Sequence, residues 1–186
     1  MNTHFRFVRT ALLLVMALIG LNGPHLAAGA EGPLLEQDSR AALKSLYDGS
    51  PGAKALGDRA KGILVFPNVV KAGFVLGAQG GDGVLLVKDK VAGHYNTAAV
   101  SVGLQAGAQS FGYALFFMSD KVLTDFRNSK NFQIGVGPSI VVIDAGAAKD
   151  INNLTVKSDV YAAIFDQKGL MAGVALQGSK ITKLSR

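Results

Sequence analysis

The residues with nucleophilic potential centre on Ser110. The segment Ala108-Gln-Ser110-Phe-Gly112 differs by one residue from the G-x-S-x-G nucleophile elbow of serine hydrolases. In that elbow the serine occupies a strand-to-helix turn, and the histidine follows the serine in chain order. His94, which is the one histidine beyond residue 30, instead precedes Ser110. We therefore predict a non-enzymatic protein without catalytic residues, and a lipid-acting serine hydrolase that uses Ser110 is the less favoured alternative.

Metal and cofactor chemistry has few candidate ligands in this chain. It contains no cysteine, and its carboxylates do not follow the spacing of an EF-hand loop. The glycines of residues 77–83 lack the strand–turn–helix setting of a dinucleotide fingerprint, because the Val-Leu-Leu-Val that follows them is typical of a strand. We therefore predict no metal site and no cofactor.

Four lysines and two phenylalanines lie close together in the sequence around one glycine-rich segment. These candidate lipid-binding residues are Lys61, Phe66, Lys71, Phe74, Lys88 and Lys90. A basic rim is attracted to an anionic membrane by about 1 kcal/mol per lysine, so four lysines give only about millimolar affinity. The same pattern also fits a solvated rim above two core phenylalanines, and this simpler interpretation stays open for each residue.

The overall charge argues against a nucleic-acid partner. The formal net charge is +6 over 186 residues, without a run of lysine or arginine. Nucleic-acid-binding domains usually gather their basic residues into a patch or stripe. We predict no nucleic-acid partner, and a homo-oligomer remains open.

Residues 1–30 have the pattern of a cleaved signal peptide. Arg6 and Arg9 precede an apolar run, and Ala28-Gly29-Ala30 matches an A-x-A cleavage site. The apolar run, residues 10–21, is shorter than the roughly twenty residues of a membrane span. The sequence therefore predicts an exported protein, periplasmic or secreted, that associates with a membrane peripherally. Its one domain would combine a helical segment, residues 31–60, with a β domain, residues 61–186.

Three helices are predicted. Residues 34–47 form an amphipathic helix whose apolar stripe suits either core packing or membrane insertion. Ser50 and Pro51 suit the start of a second helix that continues to residue 60. Ser119 suits the start of a third helix near residues 119–129, with Val122, Leu123 and Phe126 on its buried side.

The rest of the chain predicts a sheet. Residues 63–66 predict a strand that stops at Pro67, and the Gly-Gly-Asp-Gly of residues 80–83 predicts a tight hairpin turn. Residues 97–118 predict one long strand region with an apolar face that includes Val100 and a small or amide-bearing face that includes Gln109. Strands at 132–144, broken at Gly137-Pro138, and at 160–165 follow, and residues 167–169 predict a tight connection.

The glycine content predicts how this sheet is shaped. The chain has 23 glycines, and most of them lie inside apolar, alternating segments rather than in serine-rich linkers. Glycines in such positions mark close backbone approach and curvature. The predicted fold class is mainly β with helices (α+β), in which a curved antiparallel sheet forms a barrel or a sandwich.

One ordered set of motifs begins with Phe66-Pro67-x-x-x-Lys71-Ala-Gly73-Phe74. This motif resembles the start of the SYLF domain, a lipid-binding domain of bacteria and eukaryotes. The later motifs occur in the family's order, and the resemblance extends over residues 34–181: Gly103-Leu-Gln105-Ala-Gly107-Ala-Gln109, Gly137-Pro138, Tyr161 and Lys168-Gly169-Leu170-Met-Ala172-Gly173-Val174. Ile164-Phe165-Asp166 stands where the family commonly has a Ser-Arg pair, so a phosphate-contacting arginine is absent there.

The resemblance implies phospholipid binding. SYLF domains bind phospholipids, and some eukaryotic members also bind and bundle actin, which we do not expect of this exported chain. We therefore predict association with anionic phospholipid or a membrane surface through the basic and aromatic rim and the amphipathic N-terminal helix. The alternative is a structural or assembly protein of the cell envelope that binds a protein partner.

Overall fold

A computed structural model of the chain describes residues 32–73, 76–102, 107–144, 158–169 and 176–185. Within them lie three helices: α1 (Gly32–Gly49), α2 (Pro51–Arg59) and α3 (Asp120–Asn128). The same residues contain eight strands: β1 (Gly62–Gly73), β2 (Leu76–Val87), β3 (Lys90–Val102), β4 (Gly107–Phe117), β5 (Asn131–Gln133), β6 (Ile140–Asp144), β7 (Val160–Gly169) and β8 (Lys180–Lys183).

The three helices form where the sequence predicts them. The Oγ of Ser50 accepts a hydrogen bond from the backbone N–H of Ala53, and the Oγ of Ser119 accepts one from that of Val122, each at 3.3 Å. Both serines therefore satisfy a backbone donor that the first helical turn leaves unpaired. Leu35, Leu43 and Leu46 of α1 are buried against the sheet.

The eight strands form one sheet in the order β5-β8-β3-β2-β1-β4-β7-β6, which curls into a half-barrel. The described pairings are antiparallel except that of β6 with β7, which is parallel. The predicted α+β class with a curved sheet is confirmed, and the sheet curls into a half-barrel where the sequence predicts a barrel or a sandwich. The parallel pair makes the sheet mixed, which local sequence patterns do not reveal.

Two apolar layers cover the two faces of this sheet. The inner face carries Leu64, Phe66 and Tyr113, and packs against Phe126 of α3. The outer face carries Val65, Val84 and Phe116, and packs against α1 and α2. Strands β1, β2, β4 and β7 are thus buried on both faces over part of their length, so their sequences are apolar in runs rather than strictly alternating.

The predicted stop at Pro67 is wrong, because β1 continues through it to Gly73. The pairing of β1 with β4 shifts between Phe66 and Val69, and its pairing with β2 shifts between Val65 and Val70. Pro67 therefore lies in a bulge, where its missing N–H removes no hydrogen bond from the ladder.

The predicted turn at residues 80–83 is also wrong. These residues lie inside β2, and their three glycines do not have positive φ. The turn is Lys88-Asp89, whose φ values of 50° and 60° match a two-residue hairpin of type I′. A Cβ on Gly81 or Gly83 would lie 2.5 Å from the Asn68 oxygen or 2.4 Å from the Val65 oxygen, so these glycines permit close backbone approach.

The predicted strand region 97–118 is in fact two strands, β3 and β4, and β3 includes residues 91–96. The break at Gly137-Pro138 is confirmed, because β5 ends before it and β6 begins after it. The predicted connection at residues 167–169 is wrong, since these residues belong to β7. Phe74, residues 103–106 and residues 170–175 lie outside the described residues.

Candidate functional site

The exposed lysines of the predicted rim cluster at one end of the sheet. Lys88 belongs to the β2–β3 turn, Lys90 begins β3, and Lys61 immediately precedes β1; all three side chains are exposed. Arg40 of α1 adds to this end, where its guanidinium donates to the carbonyl oxygen of Asp89 at 2.8 Å. This cluster, Lys61, Lys88 and Lys90, is called the basic rim below.

Lys71 lies far from the basic rim. It is near the other end of β1, ten residues of strand away, or about 30 Å at ~3.3 Å per residue. Lys71 is also largely buried, with 6% exposure, so little of its side chain is available to a membrane surface. The structure thus divides the four lysines between two ends of the sheet.

The predicted aromatic contacts are also separated from the surface. Phe66 is fully buried, and its ring stacks on that of Tyr113 with centroids 4.7 Å apart. Phe74 lies outside the described residues. The α1 helix has its apolar stripe against the sheet, so in this conformation it offers a membrane only Leu34, which is 59% exposed.

Lys71 and its partners in register carry polar side chains on the inner face of the sheet. Lys71 pairs in register with Gln79 of β2 on one side and with Gln109 of β4 on the other. The exposed fractions of Gln79 and Gln109 are 7% and 4%. The Nε2 of Gln79 donates to the Oγ of Ser179 at 3.0 Å, whereas Gln109 Oε1 has no hydrogen-bond partner among the described residues. Gln79, Lys71 and Gln109 are called the polar row.

The same end of the sheet carries apolar residues on its outside. Four exposed residues are paired across four strands, namely Val100, Ala78, Ala72 and Ala108, and the exposed Leu76 lies beside them on β2. Val100 is 88% exposed and Leu76 is 72% exposed. We call these five residues the apolar strip; α1 and α2 pack on the outer face nearer the basic rim.

Two exposed lysines flank the apolar strip. Lys180 of β8 pairs with Ala98, and Lys168 of β7 pairs with Ser110, in the next register row along the outer face. The strip therefore has a cation at each side. Sequence reasoning did not select Lys168 or Lys180 as site residues, because neither is close to the apolar strip in the chain.

A hydrolase centre is not assembled around Ser110. Ser110 lies within β4, not at a strand-to-helix turn. His94 of β3 pairs with Val84 of β2, and Val84 pairs with Val65 of β1. Val65 in turn pairs with Ala114 of β4. His94 is therefore three strands and four residues from Ser110, or about 20 Å. Its Nε2 instead lies 3.3 Å from Glu36 Oε1.

A groove of about 540 Å³ lies between α3 and the segment around β5. Phe126, Phe132 and Val136 provide its apolar lining, and Asp125 and Asp159 provide carboxylates. A hydrogen bond from Lys121 to Asp125 raises the pKa of that lysine. Because its carboxylates repel anions, this groove suits an anionic head group less well than the lysine-flanked end of the sheet.

Neither metal coordination nor a membrane-spanning helix is indicated in the described part of the chain. There, His, Asp and Glu side chains do not gather in groups of three that could hold an ion. The described helices also lack the combined length and apolar character that crossing a bilayer requires.

The described helices and strands define an α+β domain that is built on one curled sheet. Residues 98–185 match the family model described as "Ysc84: Las17-binding protein actin regulator". The recognition of a SYLF domain from the sequence motifs is confirmed by this match.

Curated relatives agree with the family match. The chain is similar to "SH3 domain-containing YSC84-like protein 1" of Rattus norvegicus and of Mus musculus, each 28% identical over 129 residues. The human protein of the same name is 27% identical over 129 residues. These matches cover 65% of this chain and only 37% of the rat and mouse proteins or 36% of the human one, so the relatives are much longer.

Proposed function

We propose that this chain is a non-enzymatic, phospholipid-binding protein that docks peripherally on anionic membrane surfaces through the apolar strip. The observation that supports it most is the sidedness of this end of the sheet, with Val100 and Leu76 in solvent and Lys71 inside. Contiguous exposed apolar surface commonly marks a membrane or protein interaction site. The flanking Lys168 and Lys180 favour an anionic membrane over a neutral one.

The expected affinity is modest. Removing Val100 and Leu76 from water contributes about 1.5 kcal/mol each at the lower end of the usual range. The two flanking lysines add about 1 kcal/mol each near an anionic surface. The gross total of about 5 kcal/mol corresponds to a Kd of hundreds of micromolar. Binding of this strength is reversible and partly sensitive to salt.

Co-sedimentation with vesicles tests the proposal. We expect the chain without residues 1–30 to bind vesicles that contain phosphatidylglycerol, and to bind pure phosphatidylcholine vesicles less. Val100→Asp should weaken binding to anionic vesicles about tenfold or more, whereas Val136→Asp should not. Val136 is a matched control because it is also an exposed valine, at 64%, but lies next to the groove instead.

A second pair of variants locates the electrostatic contribution. Lys168→Ala combined with Lys180→Ala should reduce binding at low salt, and Lys61→Ala combined with Lys88→Ala should not. The reverse result would move the contact to the basic rim. Absence of binding to both vesicle types would refute the proposal, and concentration-dependent self-association without lipid would then favour an assembly protein.

Export remains part of the same proposal. We propose that residues 1–30 direct the chain to the periplasm or outside the cell. Cell fractionation, with N-terminal sequencing of the mature protein, should find a new N-terminus near residue 31. Retention of residues 1–30 on a chain that stays in the cytoplasm would contradict it.

A further inference from the structure

Three neighbouring strands share one pattern at the end that carries the apolar strip. In the direction of that end, each strand has a polar residue, then an alanine and then a glycine. In β1 this run is Lys71-Ala-Gly73. The antiparallel neighbours β2 and β4 run the other way, so the same order appears in their sequences as Gly-Ala-Gln. The register aligns Gly73 with Gly77 and Gly107, just as it aligns Lys71 with Gln79 and Gln109. Polar residues and glycines therefore share the inner face, and the alanines lie on the outer face.

The polar row is the outermost layer of the interior on these strands. Next to it, farther inside, Phe111 and Tyr113 are almost fully buried, and Tyr113 donates a 2.8 Å hydrogen bond to Thr97 Oγ1. On its other side, the described inner-face residues of these strands are the three aligned glycines, Gly73, Gly77 and Gly107. Within the described parts of the three central strands, the inner face therefore places no side chain beyond the polar row.

Lys71 lacks a counter-ion within this layer. Its inner-face neighbours in register, and the next inner-face residues along the strands, are glutamine, glycine, valine and phenylalanine. No ion pair or hydrogen bond joins its ammonium to a described residue. The side chain of Lys71 is largely buried, and the Gln109 Oε1 beside it is fully buried without a hydrogen-bond partner among the described residues, so an anion bound here would gain a charge-assisted hydrogen bond from the ammonium.

The unsatisfied groups are complementary to one kind of ligand. An ammonium supplies three donors and no acceptor, and its strongest hydrogen bonds are those to anionic oxygens. Gln109 Oε1, unpartnered beside it, requires a donor such as a hydroxyl group. Residues directly opposite on paired strands have Cβ atoms about 5 Å apart, so both side chains reach one small ligand.

We propose that the polar row binds an anionic phosphate, with Lys71 contacting the phosphate oxygens and Gln109 accepting from a neighbouring hydroxyl group. The proposal rests on the phospholipid binding proposed above, where the phosphate belongs to a lipid head group. It places the head group inside the sheet end whose outer face carries the apolar strip.

Thermal unfolding in the presence of soluble probes tests this site without a membrane. The probes are monomeric dihexanoyl phosphatidylglycerol and inorganic phosphate, each compared with sodium chloride at equal ionic strength. We expect the midpoint temperature to rise with the concentration of the lipid probe, because a ligand that binds only the folded state stabilises it. A similar rise with inorganic phosphate at the same concentration would identify free phosphate as a sufficient ligand.

Two substitutions distinguish a binding role from a structural one. Lys71→Met keeps the length of the side chain and removes its charge, so the free protein should stay folded, as judged by its midpoint temperature, and should bind the probe at least tenfold more weakly. Gln109→Glu places a carboxylate opposite Lys71 and should block the site while leaving the fold intact. Lys88→Met removes the same charge from the exposed β2–β3 turn and should change neither property.

The outcomes separate this inference from the proposed function. Vesicle binding by the unmodified chain, together with full probe binding by Lys71→Met or Gln109→Glu, would overturn the phosphate site and leave membrane docking in place. Probe binding that both variants lose, without vesicle binding, would support the site and refute the docking. A response to sodium chloride equal to that of both probes would overturn the site, because it would show screening rather than binding.

Discussion

Replacing Gly83 by alanine should destabilise the protein strongly, whereas the same change at Gly80 should not. The two glycines lie three residues apart in β2. A Cβ on Gly83 would lie 2.4 Å from the Val65 carbonyl oxygen and 2.6 Å from the ring of Phe66. A Cβ on Gly80 would meet only the Thr97 carbonyl oxygen, at the ordinary contact distance of 3.5 Å.

The size of the expected loss of stability in Gly83→Ala follows from the groups that the new Cβ would displace. Ordinary contact with the Val65 oxygen requires a displacement of about 1 Å, and that oxygen belongs to the backbone of the neighbouring strand. Phe66 is fully buried and cannot move aside without disturbing its contact with Tyr113. Overpacking of this kind costs about 1–3 kcal/mol, and we expect the upper end. Gly80→Ala should remain within about 0.5 kcal/mol of the unmodified protein.

Urea unfolding followed by circular dichroism measures both free energies. For a domain of this size, a loss of about 3 kcal/mol also lowers the midpoint temperature by about 6–12 °C. Equal losses in the two variants would refute the reasoning, because they would indicate that both glycines are required for backbone conformation rather than for close approach. An unchanged Gly83→Ala protein would refute it as well.

Two further predictions concern a buried tyrosine and a helix start. Burial raises the pKa of Tyr113, so the unfolded chain ionises first and stability should fall above pH 10 by up to about 1.4 kcal/mol per pH unit from this residue. Tyr113→Phe should lose about 1–3 kcal/mol at pH 8, because Thr97 Oγ1 loses its donor, and this loss should shrink in denaturation measurements between pH 10 and 11. A loss that stays constant with pH would contradict the buried neutral phenol. Ser119→Ala should cost about 1 kcal/mol in urea unfolding, because it leaves the Val122 N–H without its acceptor, and Ser129→Ala, at the other end of α3, is the control that should cost less.

Local signals in the sequence were sufficient for the helices and the fold class. Ser50, Pro51 and Ser119 mark helix starts through short-range hydrogen bonds and backbone geometry, which do not depend on the rest of the fold. The turns are harder to predict from the sequence, because glycine occurs both in turns and where two backbone segments approach each other closely. Gly81 and Gly83 are glycines because the neighbouring strand lies too close to them for a side chain. The turn itself is formed by Lys88 and Asp89 with positive φ, which is uncommon for residues other than glycine.

The sequence alone predicts the candidate site only in part. Lys71 was selected by its place in a family motif, yet its burial and its alignment with Gln79 and Gln109 depend on the register of three strands. The alternation around Val100 correctly predicts two chemically distinct faces but not which one is buried. The repeated Gly-Ala-Gln of residues 77–79 and 107–109 is the sequence signal that would have indicated the polar row.

The position of β8 constrains how this protein acquires its structure. Residues 180–183 pair with residues 95–98 of β3 and also with β5, so β8 lies in the sheet between two strands that precede it by many residues. Until residues 180–183 pair, β3 lacks its described neighbour on that side, and pairings of such long separation form slowly. An unpaired edge in a glycine-rich, apolar sheet is prone to association with other chains. Completion of the sheet therefore depends on residues 180–183, and a variant in which these residues cannot pair would retain most of its core sequence but present an open edge.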